Sequence, residues 1–123
     1  MNIQDAVESA IKSGTETWEL LAVCADWVEE QGAPQPLVQA YRWAVKHEMH
    51  PAFCTDDHWA PRHWSWSVSD KNNNHVYKHF RPALLPREVF DRMDNDPKDK
   101  NSTRHDSFAD AMAALAEALE KAT

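Results

Sequence analysis

The first 50 residues carry apolar positions at helical spacing. One stripe predicts a short amphipathic helix that stops at Gly14, and a wider stripe predicts a central helix that stops at Gly32. Pro34 and Pro36 suit the first turn of a third helix, which Pro51 ends because proline excludes helical backbone angles at the preceding residue. The three stripes consist of Ile3, Val7, Ala10 and Ile11; Leu20, Leu21, Val23, Cys24, Trp27 and Val28; and Leu37, Ala40, Tyr41, Ala44 and Val45.

Further along the chain the period changes to that of a strand. Trp64, Trp66 and Val68 alternate with polar residues, which predicts a strand with one buried face. Residues 75–80 alternate in the same way, and the turn-forming residues between the two segments predict an antiparallel hairpin. Residues 103–105 are a candidate third strand, because a two-stranded hairpin alone is marginally stable.

Two more helices complete the predicted fold. Pro86 stands near the start of a short helix over residues 85–93. Ser107 and Asp110 have the spacing of a capping box ahead of a last amphipathic helix. We therefore predict an α+β fold with three N-terminal helices, a small antiparallel hairpin or three-stranded sheet, and a C-terminal amphipathic helix.

The pattern predicts one domain over residues 1–123, with a helical part at 1–50 and the hairpin and last helix at 51–123. A chain of this length buries roughly two-thirds of its unfolded surface, which suffices for a hydrophobic core without disulfides. We expect tryptophan side chains to supply much of that core, with Trp27 buried. The full set is Trp18, Trp27, Trp43, Trp64 and Trp66.

Composition and charge narrow the class of protein. The net charge is −7, and residues 1–34 hold seven acidic side chains against one basic. No apolar run approaches the length of a membrane span, and Asp5 and Glu8 stand where a signal peptide needs a positive and then an apolar stretch. We therefore expect a cytoplasmic protein without membrane association, whose two cysteines are free thiols.

The predicted central helix carries the residues of a family resemblance. Its sequence resembles the signature of the bacterial repeat-companion domain, through Ala25-Asp26-Trp27-x-Glu29-Glu30-x-Gly32. The resemblance implies a bacterial protein with a short helical module often found at the head of larger proteins. It implies no established chemistry and no catalytic residues.

Two surfaces are candidates for binding a partner. Carboxylates at roughly helical spacing on the central helix form either a solvated face or a partner surface. The predicted hairpin combines cations with aromatic rings, as single-stranded nucleic-acid binders do, but its tryptophans are expected in the core and the net charge opposes such binding. We therefore expect a protein partner and no nucleic acid, with Glu16, Glu19, Asp26, Glu29, Arg62, Tyr77 and Lys78 as candidate contacts.

One cluster of side chains has the composition of a zinc site. Zinc takes four nitrogen or sulfur ligands in a tetrahedron, and four candidates lie within 12 residues: His47, His50, Cys54 and His58. Their spacing matches no specific finger or ribbon pattern. The alternative is that Cys54 is a small core residue and that the histidines cap a helix end or face water.

No arrangement of residues marks a catalytic centre, and with only two glycines the chain has no glycine-rich phosphate loop. We therefore expect a noncatalytic protein-interaction or accessory module without a cofactor, although an enzyme is left open. Two alternatives remain. One is a small zinc protein or enzyme built on the histidine and cysteine cluster, and the other is an acidic inhibitor that imitates nucleic acid.

Overall fold

A computed structural model describes residues 2–13, 18–54, 63–68, 84–94 and 102–121. Within these ranges the chain forms five helices and four short strands. The helices are α1 (Ile3–Ser13), α2 (Trp18–Glu30), α3 (Gln35–Lys46), α4 (Arg87–Phe90) and α5 (Phe108–Glu120), and the strands are β1 (Ala52–Cys54), β2 (His63–Ser65), β3 (Ser67–Val68) and β4 (Leu84–Leu85). The predicted α+β class, with three N-terminal helices, a small antiparallel sheet and a C-terminal helix, is confirmed.

The helices begin and end near the proline, serine and glycine residues that predicted their ends. Pro36 lies in the first turn of α3, and the Ser107 hydroxyl accepts a hydrogen bond from the backbone N–H of Asp110 at 3.0 Å, as the capping box predicts. Gly32, with a φ of 80°, closes α2, and the N–H of Ala33 reaches back to the carbonyl of Val28. These contacts fix the turn between α2 and α3 and therefore the groove that the two helices share.

The tryptophan-rich segment is the centre of the sheet. β1 pairs antiparallel with β2, so that Phe53 lies opposite Trp64, and β3 pairs in parallel with β4. On the other edge, Trp64 and His105 exchange two backbone hydrogen bonds of 2.8 Å, and the Thr103 N–H donates to the Trp66 carbonyl at 2.9 Å. The predicted pairing of residues 103–105 with this segment is confirmed.

Two details of the predicted hairpin need correction. Both edges of the segment have partners at Trp64 and at Ser67, so the pairing with residues 75–80 is wrong at these positions; residues 75–80 themselves lie outside the described ranges. The prediction of one buried face is also wrong, because His63, Ser65 and Ser67 are buried as well. A short serine tolerates burial when its hydroxyl finds a backbone acceptor, as that of Ser65 does at 3.3 Å.

One hydrophobic core joins the helices to the sheet. Aromatic rings form a continuous row through it, with centroids 5.1 to 6.2 Å apart, along Phe53, Trp64, Phe108 and Tyr41. Trp64 and Trp66 are buried as predicted, whereas Trp18, Trp27 and Trp43 pack against the core and are only partly buried. The expectation that Trp27 is buried is therefore wrong, since the side chain is only partly buried.

Substitutions at the C-terminal ends of α2 and α3 are expected to change the free energy of unfolding in opposite directions. Both helices close through a residue with positive φ, but α3 uses Glu48, at 53°, where α2 uses Gly32. A side chain in this conformation costs about 1–2 kcal/mol, and the extra freedom of glycine in the unfolded chain offsets about 0.4–1 kcal/mol of that. We expect Glu48→Gly to raise the free energy of unfolding by about 0.5 kcal/mol, and Gly32→Ala to lower it by about 0.5–1 kcal/mol.

Urea unfolding followed by circular dichroism measures both changes. Glu48→Ala is the matched control, because it removes the exposed carboxylate and retains the Cβ atom. It should leave stability unchanged. If Glu48→Ala stabilises the protein as much as Glu48→Gly does, the side chain and not the backbone conformation limits stability at this position.

Candidate functional site

The outer face of α2 is acidic and carries one exposed apolar side chain. The helix contains four acidic residues and no basic residue. Glu19, Val23, Asp26 and Glu30 recur at intervals of three and four residues and are exposed, so they share one side of the helix, here termed the acidic face of α2. Val23 is 54% exposed and is the only large apolar side chain so exposed within the described ranges.

A groove between α2 and α3 runs beside this face. Its volume is about 300 Å³, and alanines at positions 22 and 25 together with Val45 give it an apolar floor. Asp26 lines the α2 side, and Arg42 and Lys46 line the α3 side. The groove is open at these two positions because alanine side chains are small. A larger side chain at either position would fill it.

Arg42 gives two of the predicted partner-binding residues a structural contact. Its guanidinium lies 3.2 Å from the Glu29 carboxylate and 3.6 Å from that of Asp26, with all three side chains exposed. Exposed pairs of this kind contribute about 0–1 kcal/mol. Glu19 and Glu30 form no ion pair with any residue in the described ranges, so they are the uncompensated carboxylates of the acidic face.

The predicted partner-binding residues are therefore divided between described and undescribed parts of the chain. The structure brings Asp26 and Glu29 together at Arg42 and places Glu19 about two turns before Asp26 on the same helix. The remaining candidates lie outside the described ranges: Glu16, Arg62, Tyr77 and Lys78.

The histidines of the candidate zinc cluster have aromatic neighbours. The ring of His47, at the end of α3, lies 4.4 Å from that of Trp43. The ring of buried His50 lies 5.3 Å from that of Trp18, and its Nδ1 donates to the Pro51 carbonyl at 2.9 Å. The Cys54 side chain and all of His58 lie outside the described ranges, within which no three ligating residues form a metal-binding group. The zinc site remains a prediction.

A second cleft, of about 480 Å³, lies between the end of α4, residues 104–105 and the outer face of α5. It is lined by charged side chains and by alanines: Arg92, Met93, Asp94, Arg104, His105, Asp110, Ala113, Ala114, Glu117 and Lys121. The cleft was not predicted from the sequence, because the prediction of the last helix rests on its apolar face alone. The charged residues at intervals of three, four and seven on the opposite face were the available signal.

A hydrogen bond joins His105 to Thr103 beside this cleft. The Thr103 hydroxyl oxygen accepts from the Trp66 N–H at 3.0 Å and lies 2.8 Å from Nε2 of His105. Its own hydrogen has one other acceptor, the Trp66 carbonyl at 3.5 Å, which is too distant for a good O–H···O bond. The Thr103 hydroxyl therefore links the backbone of Trp66 to the ring of His105.

This arrangement does not make a catalytic pair. Thr103 is 0% exposed, and its hydroxyl is held by the backbone of Trp66, so no substrate reaches it as a nucleophile. Burial lowers the pKa of His105, against the opposing effect of the Asp110 carboxylate. The neutral imidazole is therefore the stable form in the fold.

The lowered pKa of His105 predicts a pH dependence of stability. The unfolded chain binds this proton more tightly than the folded chain does, since the ordinary value is 6.5. The free energy of unfolding should therefore have its full His105 contribution above about pH 6.5 and lose it as the pH falls below that value. Urea unfolding between about pH 5.5 and 7.5 should show a positive slope that His105→Gln reduces. His47→Gln, at an exposed position, is the control, and an equal reduction by both variants would contradict the prediction.

Comparison of the chain with models of protein families, with curated proteins and with solved structures gives no match in any of the three. The resemblance to the bacterial repeat-companion domain thus stays a prediction that rests on residues 25–32. None of the helices in the described ranges is long and apolar enough to span a bilayer.

Proposed function

We propose that the protein is a noncatalytic interaction module and that the acidic face of α2, with the adjoining groove, binds a basic amphipathic segment of a partner protein. The observation that carries the proposal is the exposure of Val23 between uncompensated carboxylates of one helix. An apolar side chain that lies 54% in water gains free energy when a partner covers it. The same proposal places the protein in the cytoplasm, which the unpaired thiol of Cys24 fits.

Two features support an amphipathic partner over a purely electrostatic one. The alanine-floored groove accepts apolar side chains beside the helix, in the manner of helix-in-groove recognition. Glu19 and Glu30 attract cations at either end of the face. An inhibitor that imitates nucleic acid would need the carboxylates alone. Binding through Val23 and the groove should therefore persist in part at high salt, whereas purely electrostatic binding would be lost.

The first test uses a helical peptide of leucine and lysine at amphipathic spacing as the probe. We expect isothermal titration calorimetry to detect binding to the parent protein. The double variant Glu19→Lys/Glu30→Lys should weaken it at least tenfold, and Val23→Ser should weaken it at both low and high salt. Glu88→Lys/Asp91→Lys, an equal charge change at two exposed positions in and just after α4, is the control and should retain the parent affinity within twofold.

The same variants test the proposal with natural partners. Affinity capture with the parent protein should return a protein with a basic surface, and capture with Glu19→Lys/Glu30→Lys should lose it. Circular dichroism and unfolding confirm that each variant is folded. If the parent protein and Glu19→Lys/Glu30→Lys capture the same set of proteins, the acidic face is a solvated surface only. The same conclusion follows if the peptide binds Glu19→Lys/Glu30→Lys as tightly as it binds the parent.

A further inference from the structure

The groove between α2 and α3 has walls of opposite charge. Asp26 stands on its α2 wall, and Arg42 and Lys46 stand about one turn apart on its α3 wall. The Arg42 guanidinium is already held by two carboxylates of α2, those of Asp26 and Glu29. Lys46 is exposed and forms no ion pair with any residue in the described ranges. The α3 wall therefore offers a partner one uncompensated cation.

Two contacts show that α2 and α3 run antiparallel along the groove. The Arg42 guanidinium lies 3.6 Å from the Asp26 carboxylate. The ring of His50, just beyond the end of α3, lies 5.3 Å from that of Trp18, at the start of α2. Later positions of α3 therefore lie beside earlier positions of α2.

This alignment places Lys46 beside the middle of the acidic face. Lys46 comes midway in sequence between Arg42 and His50, so its neighbour on α2 is near position 22, and Ala22 lines the groove together with it. Val23, the exposed apolar side chain of the acidic face, is the next residue of α2. A segment that covers Val23 and enters the groove therefore comes close to the Lys46 ammonium.

Such a segment meets negative charge on one flank and positive charge on the other. The carboxylates of Glu19 and Glu30 favour cations on the flank toward α2, whereas Lys46 repels cations on the flank toward α3. A segment that is basic all round would leave the Lys46 ammonium without a partner in a partly dehydrated contact, which is unfavourable. A carboxylate on that flank would pair with it.

We propose that the partner segment is a helix with basic residues on the flank toward α2 and a glutamate or aspartate on the flank toward α3, where its carboxylate pairs with Lys46. Its apolar stripe lies between the two flanks, as in coiled coils whose flanking charges select the partner. This inference rests on the proposed function, to which it adds an acidic position in the partner. The acidic position excludes segments that are basic on both flanks.

Peptides of equal composition test this charge pattern. In the flank peptides, glutamate replaces lysine beside the leucine stripe, on one side in the first peptide and on the other side in the second, which covers both directions of docking. In the control peptide, the same replacements lie on the face opposite the leucines. We expect isothermal titration calorimetry to show at least fivefold tighter binding of one flank peptide than of the control peptide to the parent protein. Equal affinities would overturn the proposal.

A charge reversal at Lys46 identifies the group that reads the glutamate. Lys46→Glu should invert the order, so that the control peptide binds more tightly than the preferred flank peptide. Lys121→Glu makes the same charge change at an exposed position outside the groove and should keep the order of the parent. Circular dichroism confirms that both variants are folded. If Lys46→Glu keeps the order of the parent, Lys46 does not contact the partner and the proposal is overturned.

The peptide of leucine and lysine alone separates this inference from the proposed function. If it binds the parent, loses affinity with Glu19→Lys/Glu30→Lys, and the flank peptides bind no more tightly than the control peptide, the inference alone fails. If none of the peptides binds the parent, the proposed function fails and the inference fails with it.

Discussion

Trp66→Ala is expected to lower the free energy of unfolding by about 3–5 kcal/mol, the usual loss for a fully buried tryptophan. The side chain is 0% exposed, and its indole N–H donates to the Ala111 carbonyl at 2.9 Å. Truncation leaves a cavity where the sheet meets α5 and removes this cross-link between the two. Urea unfolding followed by circular dichroism measures the loss.

Two further tryptophan variants show where the loss comes from. Trp66→Phe retains most of the packing and removes the indole hydrogen bond, so it should cost less than Trp66→Ala. Trp27→Ala removes an equally large but partly exposed side chain and should cost about 1–2 kcal/mol. If Trp27→Ala costs as much as Trp66→Ala, the burial difference between the two tryptophans does not decide their contribution.

Thr103→Val is expected to lower the free energy of unfolding by about 2–3 kcal/mol, although the two side chains have nearly the same shape. The valine leaves the buried N–H of Trp66 and Nε2 of His105 without their partner. Thr103→Ser keeps the hydroxyl and loses one methyl group, so it should cost about 1 kcal/mol. The account is contradicted if the valine variant is as stable as the serine variant.

The helices were predictable because two independent signals agree at each of them. The apolar stripe of α2 defines its buried face, and Gly32 supplies the positive φ that ends it. At the end of α3, Pro51 predicted only that the helix stops before residue 51, and no glycine marks the end itself, because Glu48 adopts the conformation that favours glycine. Only the backbone hydrogen bonds of the folded chain, from Glu48 and Met49 to the last turn of α3, explain why the helix ends there.

The strand around Trp64 and Trp66 and its pairing with residues 103–105 were predictable, whereas its other partners, β1 and β4, were not. Alternation at Trp64 and Trp66 reports which side chains are apolar and says nothing about the segment that supplies the opposite backbone. The neighbour in sequence was the natural choice for a hairpin, but the strand that pairs with β2 comes from before it, at β1. Serine was assigned to solvent by polarity, although Ser65 satisfies its hydroxyl locally and is buried.

The candidate sites were also predictable from the sequence only in part. The acidic residues of α2 could be identified from their spacing, but the Arg42 contact to Asp26 and Glu29 joins helices whose packing the sequence does not specify. The cleft at His105 depends on how three segments pack together, residues 92–94, 104–105 and 110–121. Local periodicity carries no information about which segments pack against each other. The cleft could therefore be identified only from the structure.

Photo-crosslinking from α2 shows whether the acidic face contacts a partner in the cell. The photoreactive residue p-benzoylphenylalanine replaces Val23 in one variant and the exposed Ala109 of α5 in another, and both are irradiated in the cells that express them. We expect position 23 to crosslink to a protein with a basic surface, and we expect this crosslink to be lost when Glu19→Lys/Glu30→Lys is added. Position 109 should not crosslink to that protein. The same crosslinked proteins from both positions, or none from position 23, would contradict the claim that the acidic face of α2 binds a partner.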